Sequence, residues 1–427
     1  MSKAFRAAIS VLLLLLLCGC APVSVSELYS LPQLPDEYLS LQALLSEELN
    51  SGSEYAAPLR GGNCQSVQQF DLDNNGQFEA LAFFRSADGT LKICIYQYNS
   101  ENYTPVCTIT GEGSSIGRIE YADMDGDGVT ELIVSWQMDG GVSMLNVYSL
   151  RSWSGSVLLT ANCSAFTVCS LEEPGTQLLT LRHDSSNQAY IDIYTLSSNE
   201  IHLSSAPLSR GFDAATRMTA GCLAGGEKAL FVEGSYIDNY TVTDVLIVSG
   251  DQIYNISAGP AGISPTTRSS PVYSEDINGD GITEIPVTRP LPALGDNSSY
   301  PAFDWYQFSV SGQMGKVLST FHCYDDGWYL ELDALSSGEL TIQRESAFSG
   351  RQTVISEVTG SEVTPLLTIY TYTGENRYDH ARTGGKTILA EDGTAVYAVY
   401  LHSARLEAET ISNAFHLISS EWNSSVL

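Results

Sequence analysis

Asp123-Met124-Asp125-Gly126-Asp127-Gly128-Val129-Thr130-Glu131 puts side-chain oxygens at positions 1, 3, 5 and 9 of one short stretch. Carboxylates at that spacing are hard donors. A hard cation such as Ca²⁺ takes roughly six to eight oxygens at about 2.3–2.6 Å. Asp123, Asp125 and Asp127 converge on one point only if the chain curls tightly, and Gly128 permits that because glycine reaches positive φ without penalty. The Val129 carbonyl adds a backbone ligand, and Glu131 closes the shell as the next strand begins. Without a cation these carboxylates would repel one another.

The pattern recurs. Asp71, Asp73, Asn75, the Gln77 carbonyl and Glu79 form one copy, and Asp276, Asn278, Asp280, the Ile282 carbonyl and Glu284 form another. The starts lie 52 residues before and 153 residues after Asp123, so a period near 51 predicts two further copies between Asp123 and Asp276. Near 170 the chain keeps a glycine and an apolar exit but loses the spacing of the acids. Near 221, Ala220 to Val232 aligns without gaps on Ala122 to Val134 and has lost every side-chain ligand. A repeat that outlives its metal site is a structural unit first.

The elements that must position these loops read as strands. Short runs of Val, Ile, Leu, Tyr and Phe alternate with Gly, Asn, Asp and Ser turns from about 60 to 321. Strands are expected at 66–70, 80–85, 91–98 and 104–110, then at 117–122, 132–136, 142–150 and 156–160. The acidic loop falls between the first and second strand of each set. Four-stranded units repeated around an axis are propeller blades. The expected fold is therefore an all-β propeller of four-stranded blades. Five repeats are detected and the final number of blades is left open. A small C-terminal α+β domain is expected over 322–427, ending in a helix from Leu406 to Phe415. The rival for this stretch is one more degenerate blade built from 328 to 372.

The Asp-x-Asp-x-Asp-Gly-x-x-Glu loops resemble those of FG-GAP and VCBS repeats, the Ca²⁺-binding blades of integrin α-subunit-type propellers and many bacterial surface proteins. The resemblance covers about 60 to 321 and is strongest at the three intact loops. It implies cations bracing blade loops on one face and partners docking on the other. An EF-hand is excluded, because that loop needs a glutamate at about position 12, where this chain has Ala82, Val134 and Val287.

Lys3 and Arg6 precede an apolar run from Ile9 to Leu17, which reads as an export signal too short to span a bilayer. Leu17-Cys18-Gly19-Cys20 resembles a bacterial lipobox. The expected product loses residues 1–19 and is anchored by lipid on Cys20 to the extracytoplasmic face of the cell membrane. Residues 20–59 then hold a tether and an amphipathic helix over 35–50, with Asp36 as N-cap and Leu41, Leu44, Leu45 and Leu49 on its apolar face. A net charge of −30 argues against nucleic acid as a partner.

Little else carries chemistry. Beyond Cys18 and Cys20, the seven cysteines form no CxxC pair, and their odd number excludes a complete disulfide framework. The six histidines fall in no ligand spacing. Gly113-Ser114-Ser115-Ile116-Gly117 matches a nucleophile elbow in letters, but a strand-like run follows it where a helix is needed. Trp136, Trp153, Trp305, Trp328 and Trp422 suit either a blade core or a sugar-binding surface. The sequence thus predicts a non-catalytic binding or adhesion module with a protein or glycan ligand. The alternative is a surface-polymer hydrolase or lyase with its site at the propeller centre.

Overall fold

The structure, a computed structural model, describes residues 36–418 except 139–142, 173–174, 198–199, 238–239, 260–261, 270, 294–298, 336–337 and 348–349. The export signal, Cys20, the tether and Trp422 lie outside the described residues.

Among the described residues six antiparallel sheets follow one another along the chain. Sheet 1 pairs Val67–Phe70, Glu79–Arg85, Leu91–Tyr98 and Tyr103–Gly111, with the two-residue strand Glu54–Tyr55 added against Glu79–Arg85. Sheet 2 is the meander Ser115–Ala122, Glu131–Gln137, Ser143–Ser149 and Ser156–Asn162. Sheet 3 runs from Ala165–Cys169 to Glu200–Pro207, and sheet 4 from Phe212–Cys222 to Gln252–Asn255. Sheet 5 contains Glu284–Arg289, Ala302–Phe308, Met314–Cys323 and Trp328–Glu331. The strand that would precede Glu284–Arg289 is reduced to a single bridge between Glu275 and Glu284. Ser115 opens a strand, so the elbow motif has no helix behind it.

The second strand of each early sheet explains the stacking. Glu79–Arg85 and Glu131–Gln137 are buried at six successive residues, so both faces of the strand are covered. Such strands read as continuous apolar runs and need a packing layer on each side. Leu81, Phe83 and Ile93 of sheet 1 share one core with Ile119, Val134 and Trp136 of sheet 2. Sheets 2 and 3 share the next core, and sheets 3 and 4 another. Sheet 4 meets sheet 5 through Phe231, Val245, Ile285 and Phe308. Gly111 permits the first of these contacts. A Cβ there would sit 2.1 Å from the buried Trp136 ring.

The outer face of sheet 1 is closed by helix α1, Asp36–Asn50, with Leu41 buried against Ala80, Ala82, Phe84 and Tyr96. Leu44 and Leu45 join it as expected, whereas Leu49 is exposed. Among the described residues no core joins sheet 1 to sheet 6.

The C-terminal region departs from the expected domain. The boundary at 321/322 falls inside the strand Met314–Cys323. Residues 339–401 build a sixth antiparallel sheet of five strands, and its inner face shares a core with Phe321, Trp328 and Leu330 of sheet 5. Helix α2, Arg377–Arg382, covers its outer face through Ala381. The expected terminal helix is shorter, Ala408–Ala414 (α3), and Phe415–Leu417 instead forms a strand on the edge of sheet 5. Phe415 fills the shared core from that strand, which is why its apolar side chain mimicked a helix face. Trp136, Trp305 and Trp328 are fully buried, so they build core and not a sugar surface.

Candidate metal centre

Numbered by repeat, the three acidic loops are loop 1 (71–79), loop 2 (123–131) and loop 5 (276–284), the degenerate copies being loop 3 (170–177) and loop 4 (222–228), and the three acidic ones share one backbone. Position 4 has positive φ in each, at Asn74 (54°), Gly126 (73°) and Gly279 (75°), and so does position 6, at Gly76 (86°), Gly128 (87°) and Gly281 (83°). No atom lies within 4 Å of a Cβ built at Gly76 or Gly281, so the backbone, not crowding, demands glycine there. The first carboxylate gathers the turn. Asp71 accepts from the N–H of Asn75 (3.0 Å) and Gly76 (2.9 Å), and Asp123 accepts from Gly126 (2.8 Å) and Gly128 (3.0 Å). Asp276 does the same with Asp280 (2.9 Å) and Gly281 (2.8 Å).

Position 2 was not visible as a functional position in the sequence, yet it fastens every loop. Leu72, Met124, Leu171, Leu223 and Ile277 are all buried, each in a different core. In loops 1 and 2 the signal was present as an apolar residue between two acids. With that side chain pinned, the position-2 N–H is aimed at the position-9 carboxylate. Leu72 donates to Glu79 (2.9 Å), Met124 to Glu131 (2.9 Å) and Ile277 to Glu284 (3.0 Å).

Two loops bring three carboxylates together. Asp71, Asp73 and Glu79 offer oxygens within 4.8 Å of one another, as do Asp123, Asp125 and Glu131. An ion about 2.3–2.6 Å from each donor can hold oxygens up to about 5 Å apart. Glu79 is fully buried, and its Oε1 has no hydrogen-bond partner; the same holds for Oδ1 of Asp73. Burial pushes the Glu79 carboxyl up to about 7, reinforced by the charges of Asp73 and Asp71. Glu131 is pushed up to about 7 by burial, then by Asp125 and Asp123.

Positions 5 and 7 also bond to each other within each loop. They close the turn on themselves. Asn75 accepts from the Gln77 N–H (2.7 Å), Asp127 from Val129 (2.7 Å) and Asp280 from Ile282 (2.9 Å). The second oxygen of Asp127 is taken by Arg151, which also lies 3.5 Å from Asp125. The second oxygen of Asp280 accepts from the amides of Asn278 (3.1 Å) and Gln307 (2.9 Å).

The third intact loop is filled by protein. Gln307 Nε2 donates to Glu284 Oε1 at 2.7 Å, so the oxygen equivalent to the orphan on Glu79 has a partner. Burial still raises the Glu284 carboxyl above its ordinary range. Loop 3 reaches the same end with one residue. Gln177 takes the place of the glutamate, accepts from the Leu171 N–H (2.7 Å), and donates to the carbonyls of Glu172 (3.0 Å) and Gly175 (3.2 Å). An amide donates and accepts, whereas a carboxylate only accepts. Loop 4 is cut to a tight turn in which the Leu223 N–H meets the Glu227 carbonyl (2.8 Å). The strand ends pair Cys222 with Lys228 and Gly221 with Ala229, so the gapless alignment on loop 2 fails. Residues that would have carried ligands are missing from loop 4.

A cleft of about 520 Å³ opens between loops 2 and 3 and reaches the outer strands of sheets 3 and 4. Asp125, Glu172, His202 and Asp251 line it, with no lysine or arginine. Among the described residues no helix is long and apolar enough to cross a membrane.

No known family matches the chain, and no curated protein matches it in sequence. Among solved structures it is similar to AofleA from Arthrobotrys oligospora, at 9% identity and a TM-score of 0.26, over 75% of this chain and 85% of that one. It is also similar to a candidate 6-phosphogluconolactonase from Bacteroides fragilis, at 10% identity and a TM-score of 0.25, over 71% of this chain and 83% of that one. Scores this low carry no weight for fold or function.

Proposed function

We propose that this chain is a non-catalytic binding protein of the cell envelope whose repeated sheets are braced by Ca²⁺. The observation that carries the reading is the buried Glu79 oxygen left without a partner between Asp71 and Asp73. Every comparable loop that lacks such a cluster supplies an amide or a short turn in its place. A divalent ion would be held by Asp71, Asp73 and Glu79, and by Asp123, Asp125 and Glu131. It would supply stability, since an ion that binds only the folded form adds folding free energy. Carboxylate-only donor sets favour hard ions, Ca²⁺ first among them.

Four-stranded meanders packed face to face in chain order are how propeller blades pack. On this reading the sheets form a blade array whose terminal faces are covered by α1 and α2. An export signal ending at Cys20 would put it outside the cytoplasmic membrane, and the acid-lined cleft beside loop 2 is where a protein or glycan ligand would lie. Calorimetric scans of the full chain with Ca²⁺ and with a chelator test the brace. The melting temperature is expected to rise with Ca²⁺, and identical scans would overturn the reading.

A further inference from the structure

We infer that the chain takes up two cations, not three, and that the two in loops 1 and 2 bind cooperatively through the Leu72–Thr130 hydrogen bond. The inference rests on the cation reading above and adds its stoichiometry and regulation.

The joint is short. The Thr130 N–H donates to the Leu72 carbonyl at 2.8 Å. That carbonyl belongs to the peptide joining Leu72 to Asp73, a member of the loop 1 cluster. Thr130 immediately precedes Glu131, a member of the loop 2 cluster. Leu72 also donates its own N–H to Glu79, and its side chain is fixed in the core shared by sheets 1 and 2. The two clusters are thus linked through one residue that cannot move freely. The loops also touch elsewhere: a Cβ on Gly128 would lie 3.9 Å from the Asn74 side chain. An ion that gathers Asp71, Asp73 and Glu79 fixes the Leu72–Asp73 peptide, which fixes Thr130 and so pre-orders Glu131. The second ion then meets a loop whose ordering cost has already been met, which is positive coupling.

Loop 5, at 276–284, makes a similar joint, one position earlier on its neighbour, with nothing to couple to. The Thr283 N–H donates to the Cys222 carbonyl (2.9 Å), next to a loop that carries no cluster. The Gln307 amide already satisfies Glu284 and Asp280. An ion there would have to displace it.

The test is a calorimetric titration of the chelator-stripped full chain with Ca²⁺ alone. Glu79→Gln, Glu131→Gln and Glu284→Gln are compared with the unchanged chain, and circular dichroism checks folding. Gln177 shows that the framework accepts an amide at this position. Two Ca²⁺ per chain are expected, still two in Glu284→Gln, and one in each of the other variants. The surviving site in Glu79→Gln and in Glu131→Gln is expected to weaken by the same factor, at least about fivefold, because coupling is reciprocal. Three Ca²⁺ per chain, falling to two in Glu284→Gln, would overturn the stoichiometry. Two sites whose affinities ignore each other's loss would overturn the coupling. A folded chain that takes up no Ca²⁺ would overturn the cation reading itself, and this inference with it.

Discussion

Loops 1 and 2 and loops 4 and 5 use a similar joint, a backbone N–H from the later loop to a carbonyl of the earlier one. They differ in what fills the space beneath it. The first pair brings three carboxylates together in each loop, and in loop 1 leaves Glu79 Oε1 and Asp73 Oδ1 without donors. The second pair supplies donors from the protein, through a shortened turn and through Gln307. The difference teaches that the loop framework is held by its buried position-2 side chain and its turn, and that the charged cluster is an addition to it.

The largest expected effect breaks the shared part. Leu72→Ala and Leu223→Ala each empty a fully buried site and should cost about 2–5 kcal/mol in either region. Denaturant titrations should give those losses with Ca²⁺ and with chelator alike. A loss at Leu72 that vanished in chelator would show that the ion, not the core, holds loop 1.

The next effect separates the regions by pH. Folding raises Glu79 and Glu131 from 4.5 to about 7, so the ion-free folded chain holds protons that the unfolded chain releases. Stability is then fully present below pH 4.5 and falls as pH climbs through about 7, by on the order of 3 kcal/mol per group. Melting curves in chelator should show that fall, and Ca²⁺ should remove it, because the ion replaces the proton. A flat profile in chelator would contradict the burial argument.

Single amides sharpen the contrast. In chelator at pH 8, Glu79→Gln removes a buried charge and should stabilise by roughly 1–3 kcal/mol. With Ca²⁺ the same change should destabilise. Glu284→Gln should show a smaller response to Ca²⁺, since Gln307 already partners that carboxylate. Denaturant midpoints under the two conditions check the change of sign.

The smallest effect tests the turns alone. Gly76→Ala and Gly226→Ala each place a methyl group at φ +86 with no atom within 4 Å. Each should cost about 1 kcal/mol from backbone strain only. Only the Gly76 variant should also weaken Ca²⁺ binding, read by titration.

Much of the sheet pattern was legible because each strand carries its own apolar run and each turn its own glycine or asparagine. Leu91–Tyr98 was placed to the residue and Glu79–Arg85 to within one. The end of the terminal helix was misread because Phe415 continues the helical stripe of Ile411. Their packing partners, Trp328 and Leu330, lie about 85 residues away and no local pattern names them. Helix α2 was missed because Arg377-Tyr378-Asp379-His380-Ala381-Arg382 has only one buried residue, Ala381. The spacing of Asp71, Asp73 and Glu79 was read directly, but nothing in that spacing says that Gln307 would satisfy Glu284.

Local sequence determined the acidic turns, because φ preference, Asx geometry and carboxylate spacing all act within nine residues. Tertiary structure decided which turns are left with an unpaired buried oxygen, because a carboxylate's partners arrive from neighbouring strands such as Ala302–Phe308. It also decided that loops 1 and 2 touch. That contact depends on two sheets sharing one core, a property of packed faces that no stretch of chain carries alone.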